Sequence, residues 1–210
     1  MARIEEIAQA VEAGKLKLIN ELVETALAEG LDPLEILNEG MIAAMGVVGE
    51  KFQKSEIFVP EMLIAAKTMK KGVEILKPKL GAAATTSRGK CIIGTVFGDL
   101  HDIGKNLVSL MIESAGFEVI DLGVDVSIET FINTIKENPD VKIVALSCLL
   151  TTTMPALQST TQAIRSSGLG GFKLMVGGAP VTQDFANQIG ADGYSPDAAS
   201  AADLAKKLAA

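Results

Sequence analysis

The chain has no tryptophan, one tyrosine, one histidine and two cysteines in 210 residues. The cysteines, Cys91 and Cys148, lie in apolar, strand-like contexts rather than in a CxxC, which argues against a disulfide framework. With a single histidine, these two residue types alone could not fill a Cys/His zinc site. Basic residues are also scarce: Lys and Arg total 19 against 26 Asp and Glu, for a net charge of −7. Phosphate backbones are bound by clustered Lys and Arg, so nucleic acid is not an expected partner. No run approaches the roughly 18 to 20 apolar residues that span a bilayer, and Met1-Ala2-Arg3-Ile4-Glu5-Glu6 lacks the layout of a signal peptide. The expected compartment is the cytoplasm, with no membrane partner. What is abundant is apolar residues, 48% of the chain, enough for one large domain or two small ones with real cores.

The two halves of the chain have different periods. Up to about residue 79 the apolar positions recur at helical spacing: Ile4, Ile7, Val11; Leu18, Leu22, Ala26; Leu34, Leu37, Met41, Val48; Met62, Ala66, Met69, Val73, Leu76. Four helices are predicted, with Gly14 and Gly30 as stops, Asp32-Pro33 as an N-cap followed by a first-turn proline, and Pro60 opening the fourth. Short connections make this a small bundle over 1–80. Residues 81–89 are small and polar and read as a linker. From 90 to 210, short apolar runs (91–96, 119–120, 143–146, 174–176) alternate with predicted helices near 104–115, 127–137, 154–167, 181–189 and 197–208. Strands that are apolar on consecutive positions are covered on both faces, so this half is predicted to be a doubly wound parallel α/β domain of Rossmann or flavodoxin type.

Ligands of such sheets bind outside the carboxyl ends of the strands. There the sequence places Gly98-Asp99-Leu100-His101-Asp102-Ile103-Gly104, then Ser147-Cys148-Leu149-Leu150-Thr151-Thr152-Thr153, then Gly177-Gly178, then Gly193-Tyr194-Ser195. Small and hydroxyl residues suit backbone that approaches a bulky ligand closely. Asp99, two residues before His101, is placed to accept the second ring N–H, as the outer partners of metal-bound histidines do. Asp121, Asp125 and Asp140 read as solvated carboxylates on loops and strand ends, and Met41, Met45, Met62 and Met69 as adaptable filling of the bundle core.

The pattern Asp99-x-His101-x-x-Gly104, Ser147-x-Leu149 and Gly177-Gly178 resembles the cobalamin-binding signature of the corrinoid-dependent methyltransferases and mutases. The resemblance implies a cobalamin, or a related corrinoid, bound base-off, with the nucleotide tail in a channel of the α/β domain. It implies His101 as the cobalt ligand, Asp99 as its partner and Gly104 as room for the tail. It further implies that Ser147 and Leu149 lie beside the tail, which slides past Gly177 and Gly178. Gly98, Asp102, Ile103, Thr151 and Tyr194 complete the expected cofactor contacts. Methionine synthases of this family carry a serine where this chain has Thr153, which keeps the hydroxyl, so a His101–Asp99–Thr153 relay is implied. Gly49-Glu50-Lys51-Phe52 and Glu56-Ile57-Phe58-Val59-Pro60-Glu61 resemble the helical cap of the methyl-transferring members, which puts Phe52 and Val59 over the methyl group.

The His101-Asp102 dipeptide also occurs in metal-dependent phosphohydrolases, but those need further histidines. Gly168-x-Gly170-Gly171 precedes a strand and so is a turn rather than a dinucleotide fingerprint. Mutases add a large catalytic barrel, and DNA-binding regulators a basic helix-turn-helix; neither is found in this sequence. The closest resemblance is to the stand-alone corrinoid proteins, whose methyl donors are methanol, methylamines or methoxylated aromatics. Such a protein is not catalytic alone. Its expected partners are a substrate-specific methyltransferase, a second methyltransferase serving an acceptor such as tetrahydrofolate or coenzyme M, and a reductive activator. The alternative left open is a module that stores or senses corrinoid without methyl transfer.

Overall fold

The computed structural model describes residues 2–80 and 88–210, the side chains of Lys77 and Leu80 excepted. The linker expected at 81–89 lies outside the described residues apart from Arg88 and Gly89. The chain divides into two compact units, one formed by Met1–Thr86 with Ser114–Gly116, the other by Ser87–Glu113 and Phe117–Ala210.

The first unit is helical: α1 (Ala2–Glu12), α2 (Ile19–Ala28), α3 (Pro33–Glu35), α4 (Ala43–Gln53) and α5 (Val59–Leu80). Between α3 and α4 the chain stays helical through the π-helical stretch Ile36–Ile42, so the four expected helices are present with one of them locally widened. The spacing of Leu34, Leu37 and Met41 gives no warning of that widening. Within it Gly40 packs on α1, where a Cβ would stand 3.2 Å from Ile7 Cγ2. Asp32 caps α3 by accepting the Leu34 N–H at 3.2 Å, with Pro33 in the first turn. The core is the apolar stripe of each helix: Ile4, Ile7 and Val11; Ile19, Val23 and Ala26; Met41, Met45 and Val48; Met62, Ala66, Met69 and Leu76.

The second unit is a five-stranded parallel sheet, β1 (Lys90–Thr95), β2 (Glu118–Asp121), β3 (Val141–Ser147), β4 (Lys173–Gly177) and β5 (Gly193–Tyr194), in the order β2-β1-β3-β4-β5. Helices α6 (Ile103–Ser114), α7 (Ile128–Glu137), α8 (Met154–Ser166), α9 (Gln183–Ile189) and α10 (Ala198–Ala209) connect and follow the strands. Ile92, Val144 and Leu174 are in register and pack with Phe131, Leu157, Ile164 and Ile189 from α7, α8 and α9. Here α10 lies against β3, β4 and β5 and buries Ala198, Ala201, Ala202 and Ala205. Burial on both sides is what the unbroken apolar runs of the strands require. No helix among the described residues is long and apolar enough to cross a membrane.

The register also aligns the strand ends. Thr95, Ser147 and Gly177 are neighbours across β1, β3 and β4, so the segments that follow these three strands leave the sheet side by side. The strand order reverses between β1 and β3, the place where open α/β sheets form their binding crevice.

Candidate functional site

The loop after β1 is held in shape from inside the sheet. Thr95 Oγ1, fully buried, donates to the His101 carbonyl at 2.9 Å, and the Asp99 N–H closes a turn on the Val96 carbonyl at 3.2 Å. Gly98 makes the turn at φ +81, a left-handed conformation that glycine adopts without steric cost.

This geometry delivers a fully buried Asp99 beside a half-exposed imidazole. Asp99 Oδ1 stands 2.7 Å from His101 Nδ1 and accepts the His101 backbone N–H at 3.1 Å. Asp99 Oδ2 accepts the Leu149 N–H at 2.7 Å, the Leu150 N–H at 3.4 Å and the Thr153 hydroxyl at 2.8 Å. Burial works against the charge of Asp99, but the Leu149 and His101 amides, the imidazole and the Thr153 hydroxyl outweigh it and hold the carboxyl well below its usual range. An anionic Asp99 fixes the proton on Nδ1, which leaves the Nε2 lone pair as a donor, and Nε2 makes no hydrogen bond among the described residues.

Thr153 Oγ1 also lies 2.9 Å from the Leu150 carbonyl. A hydroxyl has one proton, so it donates to the stronger acceptor, the carboxylate, while the carbonyl remains a second resting place for it. The hydrogen-bonded chain from His101 through Asp99 to Thr153 is therefore continuous.

One nitrogen donor does not hold a bare metal ion, and among the described residues no group of three or more His, Cys, Asp or Glu could do so. The surroundings suit a metal that arrives inside a flat apolar ligand. The two loops joined through Asp99 expose Phe97 at 61%, Leu100 at 73%, Ile103 at 85%, Leu149 at 42% and Leu150 at 40%. Large side chains so open to water mark a binding surface. Beside them Gly104, in the first turn of α6, has no atom within 4 Å of the position a Cβ would take, which leaves room for a ligand to lie against the backbone.

The other expected residues are placed as follows. Asp102 is exposed and accepts from Asn106 Nδ2 at 3.1 Å. Ser147 is half-buried, and its carbonyl takes the Val96 N–H at 3.0 Å. Thr151 is exposed at the start of the 3-10 turn Thr151–Thr153. Gly177 is half-buried, with the Ser195 carbonyl 3.4 Å from where a Cβ would be. Gly178 is exposed at φ +126, and a Cβ there would stand 1.7 Å from the Cys148 carbonyl oxygen. Tyr194 ends β5 half-buried, packed against the core beneath α7, α8 and α9. In the helical unit, Phe52 is half-buried in the last turn of α4 and Val59 is exposed at the start of α5.

Three of the exposed apolar residues, Phe97, Leu100 and Leu150, were not among the sequence candidates, because apolar side chains in a loop look like core until their exposure is known. Asp121 and Asp125 are exposed, as expected of solvated carboxylates, but each also accepts a hydrogen bond from the backbone, and Asp121 pairs with the buried Lys105.

Both cysteines are fully buried. Burial pushes the Cys91 thiol up to about 12. Burial first, then the charge of Asp99, pushes Cys148 up to about 11, with the neighbouring Thr153 side chain acting the other way. Neither is a thiolate at neutral pH. The native protein is expected to leave both thiols unreacted with a thiol-specific chromogenic reagent, and to release both on denaturation; one fast-reacting native thiol would contradict this packing.

Comparison with known proteins matches residues 89–203 to the B12 binding domain and residues 3–77 to a second family model described in the same words. The chain is 46% identical over 194 residues to trimethylamine corrinoid protein 2 of Methanosarcina acetivorans, covering 90% of this chain and 88% of that one. Among solved structures, a cobalamin-binding protein from Desulfitobacterium hafniense aligns with a TM-score of 0.82 at 33% identity, over 98% of each chain. The methanol:cobalamin methyltransferase complex MtaBC from Methanosarcina barkeri aligns with a TM-score of 0.87 at 30% identity, over 99% of this chain and 80% of that one.

Proposed function

The chain belongs to the B12-binding family, and from that premise we propose that it carries a methyl group on a corrinoid whose cobalt His101 would ligate. When bound, the corrinoid would supply a cobalt centre able to accept and release a methyl group. The observation that carries the reading is the pairing of a half-exposed imidazole, its Nδ1 fixed 2.7 Å from a buried carboxylate, with the exposed apolar side chains on either side of it.

Each part of the chain has a task in this reading. His101 offers Nε2 to the metal, and Asp99 fixes the tautomer that makes the offer possible. Thr153 steadies the far oxygen of Asp99, and its hydroxyl can turn to the Leu150 carbonyl if a proton reaches that oxygen. Leu149, Ile103, Phe97, Leu100 and Leu150 are the exposed apolar side chains that would hold the macrocycle. Gly104 leaves room for the nucleotide tail, which Gly98, Asp102, Ser147, Thr151, Gly177, Gly178 and Tyr194 accompany. In the helical unit, Phe52 and Val59 are the residues proposed to meet the methyl group.

The partners follow from the chemistry. A methyltransferase loads the carrier from methanol, a methylamine or a methoxylated aromatic, and a second one unloads it to an acceptor such as tetrahydrofolate or coenzyme M. A reductive activator rescues oxidised cobalt. The test is the absorption spectrum of the protein loaded with cobalamin, read before and after reduction and then with each candidate donor and its transferase. The expected result is stoichiometric uptake and a methylated spectrum with one donor system. Failure to take up cobalamin would overturn the reading. A bound corrinoid that stays unmethylated with every donor system would support a storage or sensing role instead.

A further inference from the structure

The loop that carries His101 is held at both ends by a single neighbouring segment, and by two carboxylates four residues apart within it. At the near end, Asp125 Oδ1 accepts the Gly98 N–H at 2.7 Å, while the Asp125 N–H donates to the Asp99 carbonyl at 2.9 Å. One residue thus grips the Gly98-Asp99 dipeptide by the N–H at its start and the carbonyl at its end. It does so at φ +53, in the left-handed region, which Asp tolerates better than most side chains but which still carries strain. At the far end, Lys105 is 3% exposed and holds Asp121 through contacts of 2.7 and 2.5 Å to its two oxygens. Asp121 Oδ1 accepts the Gly123 N–H at 2.9 Å. The segment between them is tied to β1, since Thr95 donates its N–H to the Gly123 carbonyl at 3.0 Å and accepts the Val126 N–H at 3.0 Å.

His101 lies between these two grips. A strained non-glycine residue and a buried lysine are not what a solvated connection needs; both make sense if the loop between them has to be kept still. We propose that Asp125 is a positioning residue for His101, acting through Gly98 and Asp99, with the Lys105–Asp121 pair holding the opposite end. Pinned at both ends, the loop has few conformations in which the imidazole swings away from the metal, so the ligated state is reached with little loss of freedom. Loosening the near pin leaves His101 and Asp99 chemically intact but multiplies the unligated conformations.

This inference rests on His101 being the cobalt ligand, and its test separates the two. Three variants divide the features of Asp125. Asp125→Asn keeps an acceptor oxygen and a side chain suited to the left-handed region, Asp125→Gly relieves the strain but removes the acceptor, and Asp125→Ala removes the acceptor and keeps the strain. Each is loaded with cobalamin, reduced to Co(II) and examined by electron paramagnetic resonance, with cofactor content and thermal unfolding measured alongside. Loss of one hydrogen bond to a charged group is expected to lower the ratio of nitrogen-ligated to unligated cobalt roughly tenfold in the Gly variant. The Asn variant, which keeps a neutral acceptor, is expected to lie between the wild type and Gly, with cofactor content unchanged in both. The Ala variant should resemble Gly or exceed it. A Gly variant with the wild-type ratio would overturn the positioning role while leaving His101 as ligand. A wild type without nitrogen splitting would overturn the ligand assignment, and the positioning role with it.

Discussion

Replacing His101 by alanine is expected to leave the corrinoid bound, to convert its spectrum to the form without a lower nitrogen ligand, and to slow methyl transfer roughly a hundredfold or more. The loop does not depend on the imidazole for its shape. Thr95 holds the carbonyl of residue 101, and the backbone N–H of the same residue still reaches Asp99 Oδ1, while Leu149, Leu150 and Thr153 keep the other oxygen occupied. Asp99 would therefore remain a hydrogen-bonded buried anion rather than an orphan, and the apolar surface around it would stay in place. What disappears is the donor proposed to reach the metal. Retention of the cofactor would be measured by cobalt content after gel filtration, the ligation change by absorption, and the slowing by single-turnover methylation with the loading enzyme. An unchanged spectrum would contradict the assignment.

The second large effect separates two glycines that the sequence motif treats alike. At Gly178 a methyl group would stand 1.7 Å from the Cys148 carbonyl oxygen and 2.8 Å from its carbon, both of them backbone atoms, at φ +126. Neither atom is the end of a flexible side chain, so the β3 and β4 ends would have to part. Gly178→Ala is expected to destabilise the protein by about 4 kcal/mol or to prevent its accumulation, as backbone strain and overpacking together do. Gly104 differs. Its surroundings are open and it stands in the first turn of α6, where alanine favours the helix by about 0.5 to 1 kcal/mol. Gly104→Ala is expected to leave the cofactor-free protein as stable as before or slightly more so, and to weaken cobalamin uptake, because the methyl group takes the space assigned to the tail. Urea unfolding of the cofactor-free variants and cobalamin titration measure the two effects. Equal stability loss in both, or unimpaired uptake by Gly104→Ala, would count against these assignments.

The parts of the fold legible in the sequence were those whose burial is uniform. Strands β1 and β3 are covered on both faces, so their apolar runs stand out from the helical period on either side. The helices of the second unit fall close to their expected limits because Ser127, Thr182 and Asp197 cap α7, α9 and α10 in the local way that sequence displays. The π-helical stretch Ile36–Ile42 was not legible, since its apolar positions also fit an ordinary helix. At the site, the Asp99–His101 pair is a local arrangement of two residues and could be read directly. The bonds from Asp125 and Asp121 could not, because they depend on β1 and β2 lying side by side, with Ile93 opposite Asp121, which brings two loops distant in sequence to the same edge. The exposure of Phe97, Leu100 and Leu150 is likewise a property of the folded surface.

The central claim is that the metal's lower ligand is a nitrogen of this chain. The sequence has a single histidine, so protein grown on nitrogen-15-labelled histidine carries the label at one imidazole. The Co(II) form, loaded with unlabelled cobalamin, is expected to show its nitrogen splitting change from three lines to two when labelled protein replaces unlabelled. A three-line pattern that survives the labelling would mean that the vitamin's own base sits beneath the cobalt, and would contradict the account.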